Sequence, residues 1–320
     1  MKRFALPLLL LIAVAFGCQK KTGDPVDAQP KTVTDLLTET PTFSLLKAAI
    51  QQADLSDALK ATNLTVFAPT DDAFKARGFT SPESFKNIPA DALRNILRYH
   101  LVIGVVTTKT PEVASAINLP VESVNTAPLF LSNGASGLFV NGNKVIKSDQ
   151  VVANGIVHTV GSLLLPPTGD AVTALRNRAD MGLLVAAITR AAVARPELLS
   201  ILNGTTSNTT LKQITLFAPN DAALTAAGYR TVADINNAAP ATLANLLSYH
   251  AVAGLRFSNQ LQAGQLQTLS TATNNKLTIA VATAGPTIKG NANATPASVK
   301  EADIVSKNAI IHAIDQLLQP

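Results

Sequence analysis

The chain contains no tryptophan, three tyrosines and a single cysteine among its 320 residues. One cysteine, Cys18, excludes an internal disulfide and any cysteine-rich metal site. Aromatic residues make up only 4%, so any core must be packed with aliphatic side chains. Charge is scarce as well: 15% of residues carry one, with 26 Lys and Arg against 21 Asp and Glu. No segment gathers the basic residues into a stripe, which argues against a nucleic-acid partner. Neither G-x-S-x-G, H-E-x-x-H nor a phosphate-binding loop occurs. Yet 47% of the residues are hydrophobic, enough for real cores and too many for a disordered chain. The length is natural for two domains.

The N-terminus begins with Lys2 and Arg3, continues with a 13-residue apolar run at 4–16, and ends in Gly17-Cys18. A bilayer-spanning helix needs about 20 residues, so this run is the core of a signal peptide. Ala15-Phe16-Gly17-Cys18 resembles the lipobox of bacterial lipoproteins, departing from it at Phe16, where a small residue is usual. The resemblance implies that residues 1–18 are a lipoprotein signal peptide, that Cys18 is lipidated, and that it becomes the mature N-terminus. Acyl chains contribute about 0.8 kcal/mol per buried CH₂, so several of them anchor stably. Gln19 in place of Asp implies the outer membrane of a bacterial envelope, by the sorting rule of such lipoproteins. Residues 19–31 are polar with two prolines, the composition of a tether.

Residues 65–74, TVFAPTDDAF, read as a strand, an Ala-Pro turn and a helix start. Pro69 lacks an N–H and disfavours a helical Ala68. Thr70 stands at an N-cap position, and Asp71 and Asp72 suit the positive end of a helix. The stretch returns as ITLFAPNDAAL, residues 214–224, with Pro219 and Asp221 each 150 residues after Pro69 and Asp71. Asn220 replaces Thr70, another good N-cap. Tyr99-His100 recurs 150 residues later as Tyr249-His250, and His158 recurs 154 later as His312. Extra residues are therefore expected in the second copy, about 12 of them in 192–210 and four near 284–295.

Within the first copy, apolar spacing predicts helices over 33–37, 43–50 and 90–101. Ser81-Pro82-Glu83 reads as a cap, an N1 proline and an acidic first turn. Short strands are predicted at 129–131, 138–140, 144–146 and 155–160, with Asn141-Gly142 as a hairpin turn. Pro166-Pro167 marks the boundary. The reading is thus residues 32–167 and 168–320 as two domains of one kind.

Three motifs recur in one order: TVFAPTDDAF, then YH, then NGIVHTVGSLLLPP, residues 154–167. Together they resemble the fasciclin domain, and the resemblance covers about residues 31–320. It implies an α+β fold, with each domain a β-sandwich or wedge carrying several packed helices. It also implies cell adhesion or protein–protein contact rather than enzymatic activity, with no cofactor. In animal members the Tyr-His pair is linked to integrin binding, which makes Tyr99, His100, Tyr249 and His250 candidates for an adhesive or a structural role. The terminal motif contributes His158 and His312. An Asp usually follows that His by three residues; Asp315 fits, while the first copy has Gly161.

The expected partners are a membrane, through the lipid anchor, and an envelope, matrix or host-surface protein. A small-ligand carrier is the alternative, and a hydrolase or metal enzyme a weaker one. His100 follows Asp71, and His250 follows Asp221, by the same 29 residues. The equal spacing predicts that each His packs beneath its own Ala-Pro turn and bonds to it. No catalytic or metal-ligating set is expected.

Overall fold

The computed structural model describes residues 30–283 and 285–320. Within them, Lys31–Pro320 form one compact unit. Cys18, the stretch expected to be a signal peptide and the expected tether as far as residue 29 lie outside the described residues.

The first half opens with helices α1 (Val33–Glu39) and α2 (Ser44–Gln52). Strand β1 (Leu64–Pro69) leads into α3 (Asp71–Lys75), and a 3₁₀ turn capped by Ser81 leads to α4 (Ala90–Tyr99). Then come β2 (Leu101–Ile103), the short α5 (Pro111–Ala114), and β3 (Leu119–Glu122), β4 (Pro128–Gly134), β5 (Gly137–Val140), β6 (Asn143–Val152) and β7 (Gly155–Val160). Asn141 and Gly142 both adopt positive φ, 47° and 76°, the geometry of a tight two-residue hairpin turn.

The second half repeats the plan. Helices α6 (Ala171–Arg176), α7 (Gly182–Ala191) and α8 (Pro196–Leu202) precede β8 (Ile214–Pro219). Helices α9 (Asp221–Ala226), α10 (Val232–Asn237) and α11 (Pro240–Tyr249) come next. The strands β9 (Ala251–Ala253), β10 (Gly264–Gln267), β11 (Lys276–Ala282), β12 (Gly285–Lys289), β13 (Ala297–Val305) and β14 (Ala309–Ile314) complete it. Part of the first insertion is α8, whose Leu198, Ile201 and Leu202 enter the core; the loop proper lies between α8 and β8. The second insertion is the connection 290–296, which replaces the Asn141-Gly142 turn.

Each half holds one seven-stranded sheet, β2-β1-β7-β6-β5-β4-β3 and β10-β11-β12-β13-β14-β8-β9. The central pair is parallel, β1 with β7 and β14 with β8. Alternation along β1 sorts the core. Leu64, Val66 and Ala68 face α2 and α4, whereas Phe67 points to the other side and meets Leu129, Leu131 and Val140. The latter come from the far end of the same sheet, so the sheet closes over on itself. Register shifts along β6 and β13 provide the bend. The architecture is the α+β one the resemblance implied, built from a single bent sheet rather than two separate ones.

Pro69 and Pro219 do not form a turn. Each is the last residue of its strand, opposite Val160 and Ile314. The N–H groups of Leu64 and Thr70 bond to the β7 side, at Asn154 and Val160, while that of Phe67 bonds to His100 on the β2 side. Pro69 therefore faces the β2 side beyond the end of β2, where no N–H is called for. The chain breaks into its helix at Thr70, whose Oγ1 accepts from Ala73 N at 3.3 Å; Asn220 Oδ1 does the same for Ala223 N at 2.9 Å.

The halves meet through non-equivalent surfaces. Phe130 packs on Phe257, ring centroids 5.8 Å apart, with Ile310 beneath. Asn118 and Gln260 exchange amide hydrogen bonds at 2.6 and 3.1 Å, and Asn118 also donates to Leu255 O. Glu301 of the second half receives Arg77 at 3.1 Å and Arg178 at 2.7 Å.

Candidate functional site

The three motifs come together in space. In the parallel pair, Phe67 stands opposite His158 and Phe217 opposite His312. Phe67 N donates to His100 O, and Phe217 N to His250 O, both at 2.9 Å. Strand, Tyr-His corner and terminal strand thus form one cluster per half.

His100 and His250 do not bond the Ala-Pro segment through their rings, contrary to the expectation from spacing. Leu164 N donates to His100 Nε2 at 3.0 Å, and Leu318 N to His250 Nε2 at 2.9 Å. An acceptor Nε2 leaves the proton on Nδ1, which donates to Ile96 O or Leu246 O at 2.8 Å. Each ring therefore ties the end of α4 or α11 to the tail after the terminal strand. Equal spacing reported a shared arrangement but not its partner, because the link to the strand runs through the histidine's backbone carbonyl. Burial pushes both imidazoles down to about 4, against the opposing pull of the helix carbonyl.

His158 and His312 take the other tautomer. Asp149 N and Asp303 N donate to their Nδ1 at 3.2 and 3.3 Å. Their Nε2–H then donates to Val106 O and Arg256 O, both at 2.9 Å. Each ring stacks on its strand partner, His158 on Phe67 at 5.1 Å and His312 on Phe217 at 5.6 Å. The nearest carboxylates, Asp149 and Asp303, stand 4.0 Å away and are engaged elsewhere, on Thr108 N and Ser258 N. Burial holds both histidines below the usual value and pushes Asp303 up. Burial favours the neutral imidazole in both copies, so neither histidine acts as the cation of an ion pair.

Tyr99 and Tyr249 are fully buried. Their hydroxyls donate to Pro128 O at 2.8 Å and Lys276 O at 2.7 Å, and accept from Asn141 Nδ2 and Asn291 N. The Tyr-His side chains are out of reach of a partner, and the work they do in this geometry is structural. Asp71 and Asp221 serve a helix other than their own. Asp71 accepts from Ser44 Oγ and Leu45 N at the start of α2, and Asp221 from Gly182 N and Leu183 N at the start of α7. Asp315 accepts from Ser298 N at 2.7 Å and pairs with Lys300, closing the β13–β14 ladder.

Two pairs escaped sequence reasoning. Asn154 and Asn308 each clamp three backbone groups. Asn154 receives Val33 N and donates to Leu59 O and Ala61 O; Asn308 receives Ala171 N and donates to Ile201 O and Leu202 O. Asp149 and Asp303, at φ 56° and 61°, sit at the bend of the long strand. Each pair keeps a fixed distance to its histidine in both copies, four residues for Asn and nine for Asp, and that recurrence is the signal that could have found it.

Every ring nitrogen in the cluster is committed to the backbone, and no nucleophile faces a free base. Among the described residues, no group of three His, Cys, Asp or Glu is placed to hold a metal ion. No helix among them is long and apolar enough to cross a membrane.

Such a chain is a tandem α+β repeat protein whose shared motifs serve the fold. Residues 41–166 and 187–320 each match the fasciclin domain family, and the chain belongs to that family. Protein sll1483 of Synechocystis sp. is 35% identical over 139 residues, 42% of this chain and 74% of that protein. The transforming growth factor-beta-induced protein ig-h3 of Sus scrofa is 35% identical over 137 residues, and human periostin 34% over 145, covering 42% and 44% of this chain. The matches span only 19% and 17% of the lengths of those two proteins. A solved domain pair from the insect cell adhesion molecule fasciclin I covers 86% of this chain and 96% of its own, at 18% identity and a TM-score of 0.39.

Proposed function

We propose that the chain is a lipid-anchored protein of the bacterial cell envelope, held at the outer membrane through Cys18. In this reading it makes adhesive or protein–protein contacts through its two fasciclin domains. The observation that carries the contact reading is the commitment of all four histidines to backbone groups inside the two cores. The residues with the greatest chemical capability are spent on rigidity, which suits a scaffold that presents surfaces and does not suit hydrolysis. Membership of a family associated with adhesion supports the same reading. The leader ending in Gly17-Cys18 supports the anchor.

Anchor and contact are tested separately. Full-length protein is expected in the detergent phase of a two-phase extraction, and Cys18→Ser in the aqueous phase or unprocessed. A serine variant that partitions like the parent would remove the anchor. Immobilised protein is expected to retain a defined protein from envelope or host-surface fractions, and retention of none would remove the contact role.

A further inference from the structure

Between the two halves lies an open groove of about 630 Å³, within the size range of small-molecule sites. Its floor is the clasp between Asn118 and Gln260, where Gln260 also donates to Ser132 Oγ at 3.0 Å. Both halves supply that floor, so the groove exists only in the domain pair. The walls carry neutral amides and a hydroxyl, among them Asn259, Gln262, Gln265 and Ser136. Phe139 adds a half-buried aromatic ring and Arg256 a cation. Among the described residues that line it, none is Asp or Glu.

We infer that this groove binds a carboxylate-bearing oligosaccharide. Each wall amide presents a donor and an acceptor side by side, matching the paired donors and acceptors of vicinal hydroxyls. Neutral amides make such bonds without the cost of desolvating a charge. The apolar C–H face of a pyranose ring has Phe139 to lie on. Arg256 supplies the one charge, and its planar fork matches a carboxylate in two parallel hydrogen bonds. Its Nε–H is buried and meets no acceptor among the described residues, so no protein group holds that edge of the guanidinium. A peptide adding to the sheet edge is disfavoured, because the bordering strand β10 offers only the four residues Gly264–Gln267. This site is independent of the lipid anchor and of any protein partner.

The test is calorimetric titration of the full chain with trigalacturonic acid, its methyl ester and an extended peptide. Trigalacturonic acid is expected to bind saturably. The ester, and the acid offered to Arg256→Gln, are each expected to bind roughly tenfold or more weakly, the loss of one charge-assisted pair. Gln265→Ala, on the exposed edge strand, is expected to weaken binding about threefold, the loss of one neutral hydrogen bond. It keeps the test open if Arg256→Gln does not fold. Absence of saturable binding by the acid, equal binding of acid and ester, or preference for the peptide would each overturn the assignment.

Discussion

Replacing His100 with alanine removes two buried hydrogen bonds at once. Leu164 N loses its acceptor and Ile96 O loses its donor, at about 1–3 kcal/mol for each orphaned group. A cavity the size of an imidazole adds to this in a close-packed core. The expected loss is about 3–5 kcal/mol at neutral pH, among the largest for a single substitution. The pH dependence supplies an independent check. The free imidazole value is 6.5 and the folded one about 4, so the unfolded chain binds a proton that the folded chain refuses. Stability from this group is complete above pH 6.5 and falls as pH drops toward 4. At 1.36 kcal/mol per pH unit, His100 accounts for about 3 kcal/mol across that window. His250 behaves alike, and His158 and His312 act in the same direction; Asp303, pushed up, opposes them. Urea midpoints between pH 7.5 and 4.5 avoid the capping carboxylates Asp35 and Asp234, held below 3.8 chiefly by their Thr32 and Thr231 hydrogen bonds. His100→Ala should be less stable at pH 7.5 and show a shallower decline on acidification. A variant within 1 kcal/mol of the parent, roughly the worth of a single hydrogen bond, or one with an unchanged pH slope, would refute the clamp.

Gly155 lies so close to β1 that an added Cβ would overlap the Leu64 backbone carbonyl. Gly155→Ala is expected to cost about 1–3 kcal/mol in thermal or urea melts, although Ala309 holds the matching place in the second half. Asp71→Ala strips the cap from α2 and is expected to cost about 1–2 kcal/mol, whereas Asp72→Ala, on an exposed pair with Lys75, should stay within about 0.5 kcal/mol of the parent.

The elements most legible in the sequence were those with a local cause. Thr70 and Asn220 cap where their chemistry places them, Asn141-Gly142 turns because both residues accept positive φ, and the amphipathic stretch before Tyr99 is a helix. Partners distant in sequence were not legible. Asp71 looked satisfied by its own helix, and only the fold shows Leu45 N beside it. His100 looked tied to the strand motif, and its ring instead meets Leu164. Asn154 stood only as the first residue of the terminal motif, and the fold shows it holding Val33, Leu59 and Ala61. A side chain's own preferences set its local bonds, but which backbone group arrives from 26 or more residues away depends on how the layers close. The groove was invisible for the same reason, since its floor joins Asn118 to Gln260.

The contact between the halves also explains why two copies of one domain need not go on assembling. It is head-to-tail, a geometry that continues indefinitely if both outer faces repeat the inner ones. They do not. Glu301 pairs with Ala313 as Lys147 pairs with Thr159, so Lys147 is the first half's counterpart of the acceptor for Arg77 and Arg178. The counterpart of Phe257, counted from the matching Val106 and Arg256 carbonyls, is Thr107. On the other outer face, counted from the matching tyrosine acceptors Pro128 and Lys276, Phe130 becomes Thr278; Arg77, at the 150-residue spacing, becomes Ala227. Each exposed face thus lacks both its aromatic anchor and its charge, a device against open-ended association. Restoring them on both faces, with Thr107→Phe, Lys147→Glu, Thr278→Phe and Ala227→Arg, should produce concentration-dependent oligomers in sedimentation velocity. The two substitutions on one face alone should leave the parent's sedimentation unchanged. A fourfold variant that stays folded and sediments as the parent does would show that these positions do not limit assembly.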